Sequence, residues 1–235
     1  MAAGSVRHWK RWIIGGVAAI AVLLVGGPFV YIHFIEGKAP AKLSLSSQPT
    51  VPVAAGSSTA SSTVDGTWNV TSGSQAGYRV NEVLFGQSAT AVGRTTAVTG
   101  SIAISGTTVS TGNFTVDLTK VSSDRSQRDS QFQGRIMNTS SFPTAMFTLT
   151  QPIALGPLPA SGATVTESAT GTLTMHGATK PVTFSVTARR NGAQIQVSGS
   201  IPVTFANWNI PNPTFGPVST DDHGTMEFLL DFTHA

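Results

Sequence analysis

The stretch Gly171-Thr172-Leu173-Thr174-Met175-His176-Gly177-Ala178-Thr179-Lys180-Pro181-Val182-Thr183-Phe184-Ser185-Val186-Thr187-Ala188 decides the fold. Leu173 and Met175, then Val182, Phe184, Val186 and Ala188, alternate with threonine and serine, the period of two that gives a strand one apolar and one polar face. His176-Gly177 sits at the strand end between the two runs and reads as a hydrogen-bonded turn. The alternation continues in both directions. Upstream, Phe114, Val116 and Leu118 alternate with polar residues, as do Ala145, Phe147 and Leu149. Downstream come Ile195 and Val197, then Ile201, Val203 and Phe205, then Met226, Phe228, Leu230 and Phe232. Turn residues such as Ser105-Gly106 and Asn191-Gly192 separate the runs, and the latter is a hairpin dipeptide. The expectation is an all-β domain of about eight antiparallel strands. An up-and-down barrel and a two-sheet sandwich both satisfy this periodicity.

One segment breaks the period of two. Phe132, Ile136 and Met137 stand at helical spacing among the helix formers Arg125, Gln127, Arg128, Gln131, Gln133 and Arg135, and Ser123 can cap them. The reading is one short helix, Asp124 to about Met137, lying across a barrel end or wall. Arg128-Asp129 on it reads as a solvated ion pair.

The strand pattern begins at Asp65, so residues 65–235 form the domain. Residues 36–64 are rich in Ala, Ser, Thr and Pro without hydrophobic period and read as a flexible tether, of about 30 Å root-mean-square span. Residues 13–35 are almost wholly apolar and about 34 Å long as a helix, enough for a bilayer core of about 30 Å. A cleaved signal peptide is the alternative, but this run is longer than an apolar signal core and ends in Phe29, Tyr31, His33, Phe34 and Ile35 without a small-x-small exit. The expectation is a retained transmembrane anchor. Arg7, Lys10 and Arg11 place the tail, residues 1–12, in the cytoplasm, so the domain stands outside a cytoplasmic membrane.

The formal charge of +3 belongs to that tail. From Asp65 onward, nine Lys and Arg face ten Asp and Glu, a net of −1. Such a domain has no basic surplus for phosphates, and nucleic acid is not an expected partner. The absence of cysteine excludes disulfides, thiolate metal sites and cysteine nucleophiles. No Gly-x-Ser-x-Gly, Ser-x-x-Lys, Walker or Gly-x-Gly-x-x-Gly motif is present, and none of the five histidines has a ligand-spaced partner. Asp221-Asp222-His223 reads as a polar turn. No catalytic residue, metal or cofactor is expected. What the sequence offers instead is large apolar side chains on the inward face, either a packed core or the lining of a cavity.

Four motifs in order carry a resemblance. Gly66-Thr67-Trp68-Asn69-Val70 is similar to the opening strand of the YceI-like polyisoprenoid-binding family, Ser123 to Asp129 to its Arg-Asp helix, and Ser141-Phe142-Pro143-Thr144-Ala145-Met146-Phe147 to its Phe/Tyr-Pro-x-x-x-Phe stretch. Gly171 to Val182 is similar to its Gly-x-Leu-Thr-x-His-Gly-x-Thr-Lys-x-Val signature, the most specific of the four. The chain departs from the family at Gln131-Phe132, where His-Leu is frequent, and at Asn207 to Pro217, which replaces an Arg-x-x-Phe-Gly segment. The resemblance implies a lipocalin-like barrel whose cavity takes an isoprenoid lipid, a quinone or a polyprenyl carrier, with no catalysis. The expected lining is Phe114, Val116, Leu118, Phe132, Met137, Phe147, Leu149, Leu173, Met175, Phe184, Val186, Phe205, Met226, Phe228 and Leu230. Arg128, His176 and Lys180 are the expected head-group contacts. A non-catalytic structural or interaction domain with a filled core is the competing expectation, and the sequence leaves the oligomeric state open.

Overall fold

The structure is a computed structural model that describes residues 39–45, 64–84, 86–157, 161–216 and 218–235. Twelve strands among these residues join in one antiparallel sheet. They are β1 (Gly66–Val70), β2 (Gln75–Leu84), β3 (Gln87–Thr95), β4 (Val98–Ser105), β5 (Thr108–Asp117), β6 (Thr144–Leu149), β7 (Ile153–Ala154), β8 (Thr164–Met175), β9 (Ala178–Asn191), β10 (Gln194–Thr204), β11 (Val218–Thr220) and β12 (His223–His234). Neighbours run β1-β4-β5-β6-β8-β9-β10-β12, and β12 pairs back onto β1. Eight strands therefore close into a barrel, which decides between barrel and sandwich. Closure removes the sheet edges that a sandwich would leave.

β1 and β2 are two halves of one bent stave, both laid along β12: β1 pairs with residues 232–234 and β2 with residues 225–229. The bend falls at residues 71–74, where the buried Ser74 hydroxyl accepts from the Asp231 amide at 2.9 Å and the Thr71 amide donates to the Asp231 carbonyl at 2.8 Å. β3 and β4 are likewise one stave broken at residues 96–97, and β3 pairs only with β2 within the sheet. The wall is thus open between β3 and β6 at one end of the barrel, and the chain from Leu118 to Pro143 fills the gap. Leu118 N donates to the Pro143 carbonyl at 2.8 Å, and Arg94 exchanges backbone hydrogen bonds with Ser122 at 2.8 and 2.9 Å.

The helix in this segment is shorter than the sequence suggests. Helix α1 is Ser126–Gln131, and Phe132–Ile136 continues it as a π turn. Asp124 lies outside it because Arg125 is extended, at φ −134° and ψ 113°. Ser123 is not the cap, which is Arg125 without a side-chain bond; ahead of it the Ser123 hydroxyl accepts from the Arg125 amide at 3.2 Å, while the Asp129 carboxylate accepts from the Ser123 amide at 2.8 Å and hydroxyl at 2.6 Å. Asp129 thus ties the helix back to the turn before it, which corrects the reading of Arg128-Asp129 as a solvated pair.

The β8–β9 turn follows the sequence closely. His176 and Gly177 both have positive φ, 48° and 74°, the two-residue turn that matches strand twist in a hairpin. The β9–β10 hairpin departs from the sequence reading by one residue: Asn191 stays in β9 opposite Gln194, and the turn is Gly192-Ala193, with Gly192 at φ 59°.

The N-terminal organisation needs one correction. Residues 39–45, read from the sequence as part of the flexible tether, lie against the outer wall. Arg79 Nη2 donates to the Pro40 carbonyl at 2.7 Å, Arg94 Nη2 to the Ala41 carbonyl, and Arg189 Nη2 to the Leu45 carbonyl at 2.9 Å. Leu45 is buried. Beneath this strap, the outward-facing Glu227, Leu229 and Asp231 of β12 are only 3%, 3% and 4% exposed. Glu227 is matched by two guanidinium groups, Arg94 at 2.9 Å and Arg79 at 3.2 Å. A buried carboxylate needs such compensation. No helix among the described residues is long and apolar enough to cross a membrane, and the expected span at 13–35 lies outside them.

Candidate ligand cavity

The barrel interior encloses a cavity of about 1130 Å³. Pockets for drug-sized ligands occupy roughly 300–1,000 Å³, so this interior is a chamber and not a filled core. All fifteen apolar residues expected on the inner face line it. Two buried clusters close around the chamber. One, at the end carrying α1, gathers Phe132, Met137, Met175, Phe205, Trp208 and Ile210. The other gathers Val64, Trp68, Ile104 and Phe232 at the opposite end, where the Trp68 indole donates to the Val64 carbonyl at 2.8 Å.

The chamber persists because its rings lie along the wall. Tyr78, Phe114 and Phe228 stand directly opposite Gly93, Gly100 and Gly199 on neighbouring strands. Phe147 covers Gly171 in the same way. A methyl at Gly93 would stand 2.3 Å from Tyr78 Cε1, at Gly171 2.5 Å from Phe147 Cζ, at Gly199 2.6 Å from Phe228 Cζ and at Gly100 2.8 Å from Phe114 Cδ1. Each glycine gives a ring a flat bed on the adjacent strand, so large side chains cover the wall without meeting in the middle. Phe184 joins Phe147 and Phe228 through edge contacts at 5.3 and 6.0 Å.

Charged groups line both ends, Glu167, Arg189 and Arg190 towards the β9–β10 turn and a larger set at the α1 end. Arg128 Nη2 lies 3.2 Å from Glu82 Oε1 on β2, and Arg128 Nη1 pairs with Asp124. Burial works against the Arg128 charge, but the Glu82 and Asp124 carboxylates outweigh it and raise the pKa. Tyr78 stacks on Phe132 with centroids 5.0 Å apart. Burial pushes its phenol well above the usual tyrosine range, partly opposed by Arg128. Arg125, Arg128 and Arg135 line this end together with Glu82 and Asp124, and Arg125 and Arg128 are held in ion pairs with those carboxylates, which leaves little uncompensated positive charge for a diphosphate.

Of the three expected head-group contacts, only Arg128 lines the cavity. His176 is at the same end but belongs to the β8–β9 turn. Its Nδ1 lies 3.1 Å from the Trp208 carbonyl and its ring packs on Phe142 at 4.8 Å. Lys180 is partly buried opposite Leu173 and does not line the chamber. Both are structural parts of a hairpin, which corrects their placement. Asp222 and His223 form an exposed pair at 2.8 Å, in which the shared hydrogen bond raises the imidazole pKa and lowers the carboxyl pKa, as befits a polar turn. No cluster of three or more metal-ligating side chains occurs among the described residues.

Sequence reading missed the β2 contribution to the lining. Ala76, Tyr78 and Val80 alternate with Gly77, Arg79 and Asn81, but Glu82 falls on the inner face and ends the apolar run.

Among solved structures, a polyisoprenoid binding domain from Saccharophagus degradans, described as implicated in plant cell wall breakdown, superposes with a TM-score of 0.58 at 14% identity. The match covers 72% of this chain and 98% of that one. BcnA of Burkholderia cenocepacia superposes with a TM-score of 0.50 at 20% identity, covering 66% and 95%. No curated protein sequence matches. The YceI-like domain family matches residues 60–232, most of the chain, and this protein therefore belongs to that family.

Proposed function

We propose that the barrel binds the hydrocarbon chain of a long isoprenoid lipid with an uncharged head group, such as a quinone, and stores it or passes it on without transforming it. The observation that carries this reading is the chamber of about 1130 Å³, walled mainly by apolar side chains, with its charged groups towards its ends. The family membership and the polyisoprenoid binding domain among the structural neighbours support it. A prenyl chain with several hundred Å² of apolar surface gains of the order of 10 kcal/mol on burial, at about 25 cal/mol per Å². Association costs about 4–15 kcal/mol, so only a chain that fills the chamber binds tightly. Arg128, already held by Glu82 and Asp124, directs a neutral head group and does not neutralise a phosphate. In this reading residues 13–35 anchor the protein and the barrel works at the outer face of the cytoplasmic membrane.

Lipid extraction of the purified barrel followed by mass spectrometry tests the proposal. The expected result is an isoprenoid of defined length. Affinity for added prenyl quinones should rise with chain length and change little with salt, because screening acts on charges and not on apolar burial. A barrel that carries no lipid and binds no prenyl chain would return the case to a structural domain. A steep loss of binding with salt would point to a charged head group.

A further inference from the structure

We infer that the cavity mouth beside α1 is a membrane-docking rim, held face-down on the bilayer by the strap at residues 39–45. The inference rests on the anchored-barrel reading and adds an orientation to it. Three independent features of the molecule converge on the same end.

The strap has a direction. Its first contact, Pro40, is held by Arg79, which pairs with Thr225 only two residues from the start of β12. Its last, Leu45, is held by Arg189, opposite Gln196, which in turn pairs with Asp231 towards the far end of β12. The chain thus enters the strap in the half of the barrel that carries α1. Only residues 36–38 separate the apolar run from Ala39, and four extended steps reach at most about 14 Å. Twelve residues of β12 extend for about 40 Å. A span ending at Ile35 can therefore lie near the α1 end, but not near the opposite turns.

The surface agrees. Three large apolar side chains are exposed among the described residues: Phe215 at 60%, Met146 at 46% and Val83 at 42%. All three lie in the α1 half. Val83 pairs with Ser219, Phe215 bridges to Val218, and Met146 pairs with Thr174 one residue before the end of β8. Arg135 sits over the Phe215 ring at 5.6 Å and donates to the Pro213 carbonyl at 2.9 Å, an apolar side chain with a cation beside it as at a lipid head-group boundary. Phe215 also lines the cavity, so the rim that would enter the bilayer is continuous with the chamber. A prenyl chain could then move between bilayer and barrel without crossing water.

The full chain has no cysteine, so single probes are simple to place. Gln127→Cys on α1 and Ala193→Cys in the β9–β10 turn mark the two ends, both at exposed positions. Each variant, carrying an environment-sensitive fluorophore, is reconstituted in phosphatidylcholine vesicles containing a spin-labelled phosphatidylcholine. The expected result is strong quenching of the Gln127 probe, several-fold above that of the Ala193 probe, and unchanged by salt. Inserting a twenty-residue Gly-Ser segment between Lys38 and Ala39 should weaken that quenching, and the same insertion between Ala54 and Ala55, after the strap, should leave it intact. Phe215→Ser with Val83→Ser should also reduce it. Equal quenching at both ends, or stronger quenching at Ala193, would overturn the docking rim while leaving the lipid-binding reading standing. Failure of the chain to float with the vesicles would overturn the anchor and the rim together.

Discussion

Tyr78 places a hydroxyl inside an otherwise apolar wall. Burial raises its pKa above the ordinary 10.0, so the folded barrel holds the phenol neutral where the unfolded chain would release the proton. The sign follows directly. Below about pH 10 both states are protonated and the group has no effect on pH dependence. Above it the unfolded state is favoured, by up to about 1.4 kcal/mol per pH unit until the folded phenol itself titrates. Alkaline denaturation of a 39–235 fragment should therefore steepen above pH 10, and Tyr78→Phe should remove that part of the slope. Tyr78 is the sole tyrosine of this fragment, the other being Tyr31, so the tyrosinate absorbance reports the site directly. Titration with an ordinary tyrosine midpoint while the fold persists would show the phenol to be wet.

The pairing of rings with glycines is a property of neighbouring strands and governs how much of the barrel stays open. Gly93→Ala forces the Tyr78 ring off its bed, since Cε1, Cζ and Oη all lie within 3.0 Å of the new methyl. The ring must swing into the chamber and lose its stacking on Phe132. We expect a cost of about 1–3 kcal/mol from the strain. Affinity for a prenyl quinone should fall by at least an order of magnitude. In a Tyr78→Leu background the same Gly93→Ala change should cost markedly less, a coupling that denaturant titrations of the four variants measure. This arrangement was beyond reach of the sequence, because register decides which ring meets which glycine. The strands with large alternating residues, at 113–118, 145–149, 171–188 and 226–232, were legible. Those of β2 and β3 were less so, since Gly93, Ala91 and Glu82 on their inner faces carry no strong apolar period. His176 and Lys180 stand in the most recognisable motif, yet neither lines the chamber: His176 sits in the turn against the Trp208 carbonyl and Lys180 in β9 opposite Leu173, placements that packing and register decide.

At the scale of the whole molecule the domain begins earlier than its strand pattern. The strap leaves little signature in the sequence because three of its contacts are backbone carbonyls facing arginines and Leu45 is its one buried side chain among the described residues 39–45. Those arginines come from β2, β3 and β9, so seven residues tie together staves on either side of β12. Removing them would expose Glu227, Leu229 and Asp231 and take the carbonyl acceptors from the guanidinium groups that neutralise Glu227. Hydrogen bonds to charged groups are worth about 1.5–3 kcal/mol each. Ordering seven residues costs about 1–2 kcal/mol apiece, as much as or more than those three bonds return, so the burial of Leu45 and Leu229 supplies the balance. The surplus should be modest. A fragment of residues 65–235 should fold into the same barrel, with β-type circular dichroism, but unfold at lower denaturant than residues 39–235, by about 1–3 kcal/mol with little change in slope. Arg189→Ala in the longer fragment should reproduce part of the loss and cost less in the shorter one, where Leu45 is absent and only the bond to Gln196 at 2.8 Å is removed. Equal stability of the two fragments would mean that the strap rests on the barrel without holding it, and the fixed attitude of the cavity mouth to the membrane would lose its mechanical basis.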